Sequence, residues 1–239
     1  MKFGSLFSGI GGIDLGLERA GMVCRWQSEI DPYASRVLAK HWPHIQNLGD
    51  IRDIDWTTVE PTDVVAGGYP CQPFSYAGAR AGADDPRHLW PMFAECIRMV
   101  RPRYALLENV TGHLSLGFGQ VLADLASLGY DTEWDCIPAA AVGAPHRRDR
   151  VFIIATRQDL AHADSAPSER GSTPIGRQTQ RTHVDVPSVR RATWTPEPDV
   201  GRMADGIPAR VDRLRGLGNA VVPQVAEHVG RIIMGMADA

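Results

Sequence analysis

Short apolar segments alternate with amphipathic segments along residues 3–156, and this alternation predicts strands followed by helices. Strands are predicted at residues 2–7, 23–29, 64–67, 105–108, 132–137 and 151–155. Helical periodicity is found at residues 12–20, 32–41, 89–100 and 119–128. Such alternation is typical of a largely parallel sheet with helices on both faces. The pattern therefore predicts an α/β fold with a doubly wound sheet.

The character of the chain changes between about residues 158 and 202, where Ser, Thr, Pro, Gly, Arg and Asp predominate and no regular period is sustained. The change predicts either a small loop-rich domain or a partly disordered segment. Apolar periodicity returns at residues 223–236, which predicts a final helix that packs back onto the first domain. We therefore expect residues 1–157 and 205–239 to form one domain, with residues 158–204 as a separate region.

Composition limits what such a chain can be. It has 239 residues, of which 44% are hydrophobic, so it can bury one sizeable core. It has no apolar run near the roughly 18 residues that span a bilayer and no signal peptide, so we expect a soluble intracellular protein. The four cysteines are widely spaced, which predicts reduced thiols and no metal site. The net charge of -3 argues against indiscriminate coating of nucleic acid but leaves room for a local basic face.

A glycine-rich segment, LFSGIGG at residues 6–12, falls where the first strand ends and the first helix begins. Glycines at such a point allow the backbone to approach a nucleotide closely, although a purely structural turn has the same composition. Glu29 ends the second strand, where a carboxylate can bind both hydroxyls of a ribose. Asp50 and Ile51 would border an adenine, with a capping role for Asp50 as the alternative. The turn and Glu29 together predict a cofactor that contains adenosine.

A second segment, GGYPCQPFS at residues 67–75, presents Cys71 between two prolines just after an apolar strand. Rigid presentation suits a nucleophile, whereas most single cysteines are inert apolar residues of a core. The residues from 76 to 88 include Arg80 and Arg87 and have little apolar content. This composition predicts a mobile, positively charged lid beside the cysteine.

Two further segments place charged residues at strand ends. In LLENV at residues 106–110, Glu108 emerges from an apolar strand, and burial at the edge shared with Gly9 and Cys71 would raise its pKa. The segment PHRRDR at residues 145–150 leads directly into another apolar strand. Strand alternation predicts that Arg148 and Arg150 share one side, where they would hold a carboxylate, a phosphate or a base. A solvated charged edge is the alternative.

Taken together and in this order, these segments resemble those of the DNA (cytosine-5)-methyltransferase family, of the prokaryotic or phage type. The PCQ segment at Cys71 and the ENV segment at Glu108 are highly specific in combination. The resemblance implies a Rossmann-like, doubly wound mixed sheet, as in class I S-adenosylmethionine-dependent methyltransferases, with a small, irregular target-recognition region at residues 158–204. His146 stands where the family's arginine motif has glutamine.

The resemblance assigns a role to each motif. Cys71 would be the nucleophile and Glu108 its partner on the cytosine ring, and Arg148 and Arg150 would complete the catalytic set. The residues expected to contact S-adenosylmethionine are Phe7, Gly9, Ile10, Gly12, Glu29, Ile30, Asp50, Ile51, Pro70, Leu89 and Asn219. Those expected to contact DNA are Gln72, Ser75, Arg80, Arg87, Arg170, Arg177, Arg181, Arg190 and Arg191.

The enzyme that this resemblance implies methylates C5 of a cytosine that is flipped out of a short duplex sequence, through a covalent bond from Cys71 to C6. The alternatives are an RNA-directed member, an inactive DNA-binding relative and an unrelated small-molecule methyltransferase. The insertion at residues 158–204 favours DNA, and the presence of both Cys71 and Glu108 favours an active enzyme. We expect double-stranded DNA as the partner, a restriction endonuclease as a functional partner, a monomeric state, and a location in the cytoplasm of a bacterium or a phage-infected host.

Overall fold

The computed structural model describes residues 1–70, 89–115, 117–158, 178–180 and 210–238. Within these residues, eight strands form one mixed sheet in the order β3-β2-β1-β4-β5-β7-β6-β8. The strands are β1 Lys2–Leu6, β2 Val23–Ser28, β3 Gln46–Asn47, β4 Val64–Gly67, β5 Tyr104–Val110, β6 Tyr130–Pro138, β7 Asp149–Arg157 and β8 Gln178–Gln180. The six predicted strands are therefore confirmed, although β5, β6 and β7 are longer than predicted.

Helices connect most of these strands. They are α1 Gly12–Arg19, α2 Pro32–His41, α3 Trp90–Val100, α4 Phe118–Ser127, α5 Arg210–Asn219 and α6 Pro223–Asp238, with 3-10 helices at Thr111–Ser115 and Ala139–Val142. The start of α2 shows why the sequence forms a helix there. The carboxylate of Asp31 accepts hydrogen bonds from the N–H groups of Tyr33 and Ala34, and Pro32 occupies the first helical position, which needs no N–H donor. None of the helices within the described ranges is long and apolar enough to cross a membrane.

The sheet is covered on both faces, as the alternation of segments predicts. Successive residues of β4 and β5 point to opposite sides, so that Leu106 belongs to one core cluster and Leu107 to the other. Helices α1 and α6 pack on the first cluster, which contains Leu17 and Val225. Helices α3 and α4 pack on the second, which contains Phe93 and Leu125. This two-sided burial confirms the doubly wound architecture.

Strand direction determines which residues meet at the edge of the sheet. β1, β4 and β5 are parallel neighbours, so their carboxyl ends lie at one edge. β7 runs antiparallel to β5, and Arg150 pairs with Val110 at the end of that strand. The start of β7 therefore lies at the same edge as the ends of the parallel strands. This reversal makes the sheet mixed, as expected from the family resemblance.

Candidate active site

A cavity of ≈ 440 Å³ opens at this edge of the sheet. Its walls come from the turn after β1, the ends of β2, β4 and β5, the start of β7, and the segment that joins α5 to α6. The predicted site residues that line it are Phe7, Gly9, Ile10, Gly12, Glu29, Pro70, Glu108, Arg150 and Asn219. Residues far apart in the sequence thus meet in one pocket.

The glycine-rich turn after β1 is compact and bends sharply. Phe7, Gly9 and Gly11 all have positive φ, of 52, 56 and 86 degrees, so the turn uses a left-handed conformation that is costly at Phe7. Glu29 holds this turn in place, since its Oε2 accepts a hydrogen bond from the N–H of Gly9 at 2.7 Å. Its Oε1 accepts one from the backbone N–H of Asp31 at 2.7 Å. Each carboxylate oxygen has two lone pairs, so Glu29 retains the capacity to accept hydrogen bonds from a ligand hydroxyl.

The segment between α5 and α6 closes one wall of the cavity. It approaches α1 so closely that a Cβ atom added at Gly12 would lie 2.4 Å from the carbonyl oxygen of Val221. Arg148 anchors the same segment, because its Nη2 donates to the carbonyl oxygens of Gly218 at 2.5 Å and Ala220 at 2.7 Å. Asn219 lies between these two anchored residues and lines the cavity. Gly12 therefore allows this wall to approach α1 closely, and Arg148 holds it there.

Glu108 is a buried carboxyl group at the end of β5, with only 8% of its surface exposed. Its Oε1 lies 2.9 Å from Nε of Arg150. Burial raises the pKa of Glu108 to about 7, an effect that the charges of Arg150 and Arg148 partly offset. Gly68 makes room for the group, since a Cβ atom there would lie 2.5 Å from Oε2 of Glu108. Glu108 can therefore exchange a proton near neutral pH, as expected from its position.

The residues next to Glu108 also hold the chain that leads to Cys71. Asn109 is buried and donates a hydrogen bond from Nδ2 to the carbonyl oxygen of Tyr69 at 3.1 Å. The hydroxyl of Tyr69 lies 2.6 Å from Nε2 of His113, which is also buried. Asn109 lies near the end of β5 and His113 follows that strand, so these contacts connect the end of β5 to the end of β4. Our sequence analysis gave Asn109 no role, although its place beside Glu108 was a usable signal.

The expected alternation of Arg148 and Arg150 does not apply to Arg148. β7 begins at Asp149, and Arg148 precedes it with a φ of 36 degrees. Its guanidinium therefore points to the segment between α5 and α6, while that of Arg150 reaches Glu108. The charges of both arginines nevertheless oppose the rise that burial causes in the pKa of Glu108. Both also line a second cavity of ≈ 1030 Å³, together with His146. They act at one site through different contacts.

Four residues predicted to contact the cofactor are not among those that line the cavity. Asp50 forms an ion pair with Arg52, and Ile51 is buried in the core cluster that packs against α3. Ile30 is exposed, and Leu89 immediately precedes α3. Their contacts with a cofactor stay predictions. Conversely, the cavity wall includes Ser8, Tyr33, Asp212 and Arg215, which the sequence analysis did not single out.

The predicted nucleophile Cys71 lies outside the described residues, although Pro70, which precedes it, lines the cavity. The same holds for every predicted DNA contact, namely Gln72, Ser75, Arg80, Arg87, Arg170, Arg177, Arg181, Arg190 and Arg191. In the described ranges, no group of three or more His, Cys, Asp and Glu side chains is arranged to hold a metal ion.

The doubly wound mixed sheet and the cavity at its carboxyl edge define a Rossmann-like α/β fold. This fold resembles that of DNMT2 from Spodoptera frugiperda, studied as a mutant, with a TM-score of 0.60 over 83% of this chain and 60% of that one. Sequence identity there is 21%, so this likeness supports the fold alone. The model of the C-5 cytosine-specific DNA methylase family matches residues 1–196. The chain belongs to this family.

Curated relatives give the same result. The chain is 40% identical over 164 residues to the type II methyltransferase M.Eco47II of Escherichia coli, a match that covers 65% of this chain and 39% of the relative. It is 30% identical over 219 residues to the type II methyltransferase M.MspI of a Moraxella species, covering 89% of this chain and 51% of the relative. The chain thus spans about two fifths to one half of the length of these relatives.

Proposed function

We propose that this chain is a DNA (cytosine-5)-methyltransferase that transfers a methyl group from S-adenosylmethionine to C5 of a flipped-out cytosine. The observation that carries the proposal is Glu108, a buried carboxyl group with a pKa of about 7 that is paired with Arg150. Because Glu108 lies in a cavity bordered by the glycine turn and by Pro70, a base that enters this cavity from outside would meet it. Membership of the cytosine-5 family supplies the reaction class.

The cavity suits an adenosine-containing cofactor. The Glu29 carboxylate can accept hydrogen bonds from a ribose, the glycine turn allows close backbone approach, and Phe7 offers an apolar ring. The family resemblance adds Ile10, Gly12, Pro70, Leu89 and Asn219 as cofactor contacts, and Asp50 with Ile51 as an adenine site. When bound, S-adenosylmethionine supplies an electrophilic methyl group.

The residues of this chain would prepare cytosine to receive that group. In the proposed mechanism, the Cys71 thiolate adds to C6 and Glu108 gives a proton to N3, so that C5 gains the nucleophilic character of an enamine carbon. Arg150 pairs with the Glu108 carboxyl group and would hold it in position beside the base. After C5 accepts the methyl group, it loses its proton to a base. Elimination of the Cys71 thiolate and return of the N3 proton to Glu108 then restore the aromatic ring and leave both residues ready for another turnover.

We also propose how the chain meets its substrate. The target cytosine must leave the stacked duplex by a rotation of about 180° to reach a pocket at the sheet edge. Residues 1–157 and 205–239 would form the catalytic domain, and residues 158–204 would read a short DNA sequence. The relatives are named type II methyltransferases, which supports a functional link to a restriction endonuclease. Because these relatives are bacterial, we propose that the protein acts in the cytoplasm of a bacterium or of a phage-infected host. We further propose that it is a monomer.

Mapping of 5-methylcytosine tests the proposal. The chain is expressed in a bacterial strain without its own cytosine methylation, beside Cys71→Ala and Glu108→Gln variants as matched controls. We expect methylation of cytosine at one short sequence with the wild-type chain and none with either variant. Methylation confined to RNA would identify an RNA-directed member instead. Unmethylated DNA and RNA, from cells with folded, cofactor-binding protein, would indicate an inactive relative.

A further inference from the structure

A buried chain of hydrogen bonds lies beneath the glycine turn and ends on Asp14 of α1. The Ser8 hydroxyl donates to Oγ of Ser5 at 2.9 Å, and the Ser5 hydroxyl donates to Oδ2 of Asp14 at 3.0 Å. From the other side, Nε2 of Gln27 donates to Oδ1 of Asp14 at 2.8 Å. Ser5 and Gln27 belong to β1 and β2, so the chain joins two strands and a helix to the turn.

The position of Asp14 is costly for a carboxylate. Asp14 has no exposed surface, and within the described part of the chain it forms no ion pair with a lysine or arginine. Its charged neighbour on α1 is Glu18, which has the same sign, and the Cys24 thiol lies within its electrostatic influence. Burial accordingly raises its pKa to about 6. Well-packed apolar residues in place of Ser5, Asp14 and Gln27 would serve the core at a lower cost, so stability alone does not account for this carboxylate.

The link from Asp14 to the cavity passes through Ser8. Ser8 lines the cavity, and its hydroxyl also contacts the carbonyl oxygen of Ser5, while its own carbonyl accepts from Gly11 at 2.9 Å. It directly follows Phe7, whose left-handed backbone needs support from its surroundings. The position of Ser8 therefore helps to set the conformation of the turn, together with the hydrogen bond from Gly9 to Glu29.

We propose that Asp14 is a positioning residue for cofactor binding, and that its carboxylate, acting through Ser5 and Ser8, fixes the glycine turn in the conformation that receives S-adenosylmethionine. This inference rests on the proposed function. Asp14 does not line the cavity, so it acts on the cofactor only through other residues.

The direction of the hydrogen bonds explains why a carboxylate is needed. Ser5 and Gln27 both donate to Asp14, so both of its side-chain oxygens act as acceptors. Asparagine has the same shape but one acceptor oxygen and one NH2 group. In Asp14→Asn, the side-chain NH2 group would face either the Nε2 donor of Gln27 or the hydroxyl of Ser5. In the first case two donors would meet, and in the second the Ser5 hydroxyl would have to accept a hydrogen bond and donate elsewhere. Either change breaks or redirects the chain that ends at Ser8.

Calorimetric titration of the full chain with S-adenosylmethionine tests this inference. Asp14→Asn should weaken binding by roughly tenfold, because a charge-assisted hydrogen bond is lost. Ser5→Ala should weaken it severalfold, although Ser5 is fully buried and does not line the cavity. The double variant should lose little more than the weaker-binding single variant, since both act through one chain. Asp63→Asn is the matched control, because Asp63 accepts a hydrogen bond from Lys2 at the opposite end of β1.

A steady-state measurement separates positioning from a general loss of structure. Asp14→Asn should raise the KM for S-adenosylmethionine while kcat at saturating cofactor stays within about twofold of wild type. Wild-type affinity in both Asp14→Asn and Ser5→Ala would overturn the inference, as would strictly additive losses in the double variant. If Asp14→Asn does not fold, Ser5→Ala decides alone by the same criterion. A wild-type chain that binds no S-adenosylmethionine would overturn the proposed function as well, so the two failures are distinguishable.

Discussion

Glu108→Gln keeps the shape of a buried side chain but replaces its titratable carboxyl group by an amide. In the folded protein the pKa of Glu108 is about 7, compared with an ordinary value of 4.5. Because the folded-state pKa is the higher one, the folded protein binds this proton more tightly than the unfolded chain does. The contribution of Glu108 to stability is therefore full below about pH 4.5 and is lost as the pH rises through about 7.

The size of this effect follows from the displacement of the pKa. Each pH unit between the two values corresponds to about 1.4 kcal/mol, so the whole span is worth roughly 3 kcal/mol. Glu108 is 8% exposed, so solvent screens the effect little. The unfolding free energy of wild type, relative to Glu108→Gln, should fall by this amount between about pH 4.5 and about pH 8. Asp14 also titrates with a raised pKa, but it is present in both proteins and cancels in the comparison.

Urea unfolding at a series of pH values measures this difference directly. Glu95→Gln is the control, because Glu95 is exposed and its ion pair with Arg98 lowers its pKa. The difference in unfolding free energy between wild type and that variant should be constant above about pH 4.5 and should shrink only as the pH falls below it. If the difference between wild type and Glu108→Gln does not change with pH, Glu108 has no raised pKa and cannot donate a proton as we propose.

Three further predictions concern cofactor binding and the choice of target sequence. Glu29→Ala should weaken S-adenosylmethionine binding by roughly tenfold, since charge-assisted hydrogen bonds to the ribose are lost, and unchanged calorimetry would remove Glu29 from the site. Arg148→Ala frees the carbonyl oxygens of Gly218 and Ala220 and should weaken cofactor binding severalfold, whereas Arg231→Ala, which breaks an exposed ion pair on α6, should not. Deletion of residues 165–195 should relax or abolish the sequence preference of methylation. A folded truncated protein with unchanged selectivity would show that recognition lies elsewhere.

The set of residues that meet at the carboxyl edge of the sheet could be predicted well from the sequence, because their positions depend on local signals. Apolar strands, glycine turns and a general rule about strand carboxyl ends were enough to bring Glu29 and Glu108 together with the turn. The raised pKa of Glu108 followed from the same reasoning and is confirmed. Such inferences succeed because each motif directly follows its own strand.

Features that depend on nonlocal packing could not be predicted in this way. The reversed direction of β7 arises from pairing with β5 and β6, which leaves no mark in the sequence of β7 itself. Helix α5 was missed because its residues are polar, its apolar positions Val211, Leu214 and Leu217 are exposed, and glycines interrupt its end. Asp14 received no role from the sequence, because its burial against Ser5 and Gln27 arises only when α1 packs on the sheet.

The central claim, that Cys71 forms a bond to C6 of cytosine during methyl transfer, is tested most directly by covalent trapping. A duplex carries 5-fluorocytosine at the methylated position found by mapping, and the product is analysed by intact mass spectrometry. Fluorine at C5 blocks the final elimination, so wild type with S-adenosylmethionine should give a stable complex with the mass of protein, DNA and one methyl group. Cys71→Ala should give none. An adduct of equal yield with Cys71→Ala, or methylation by that variant at the wild-type rate, would contradict the account.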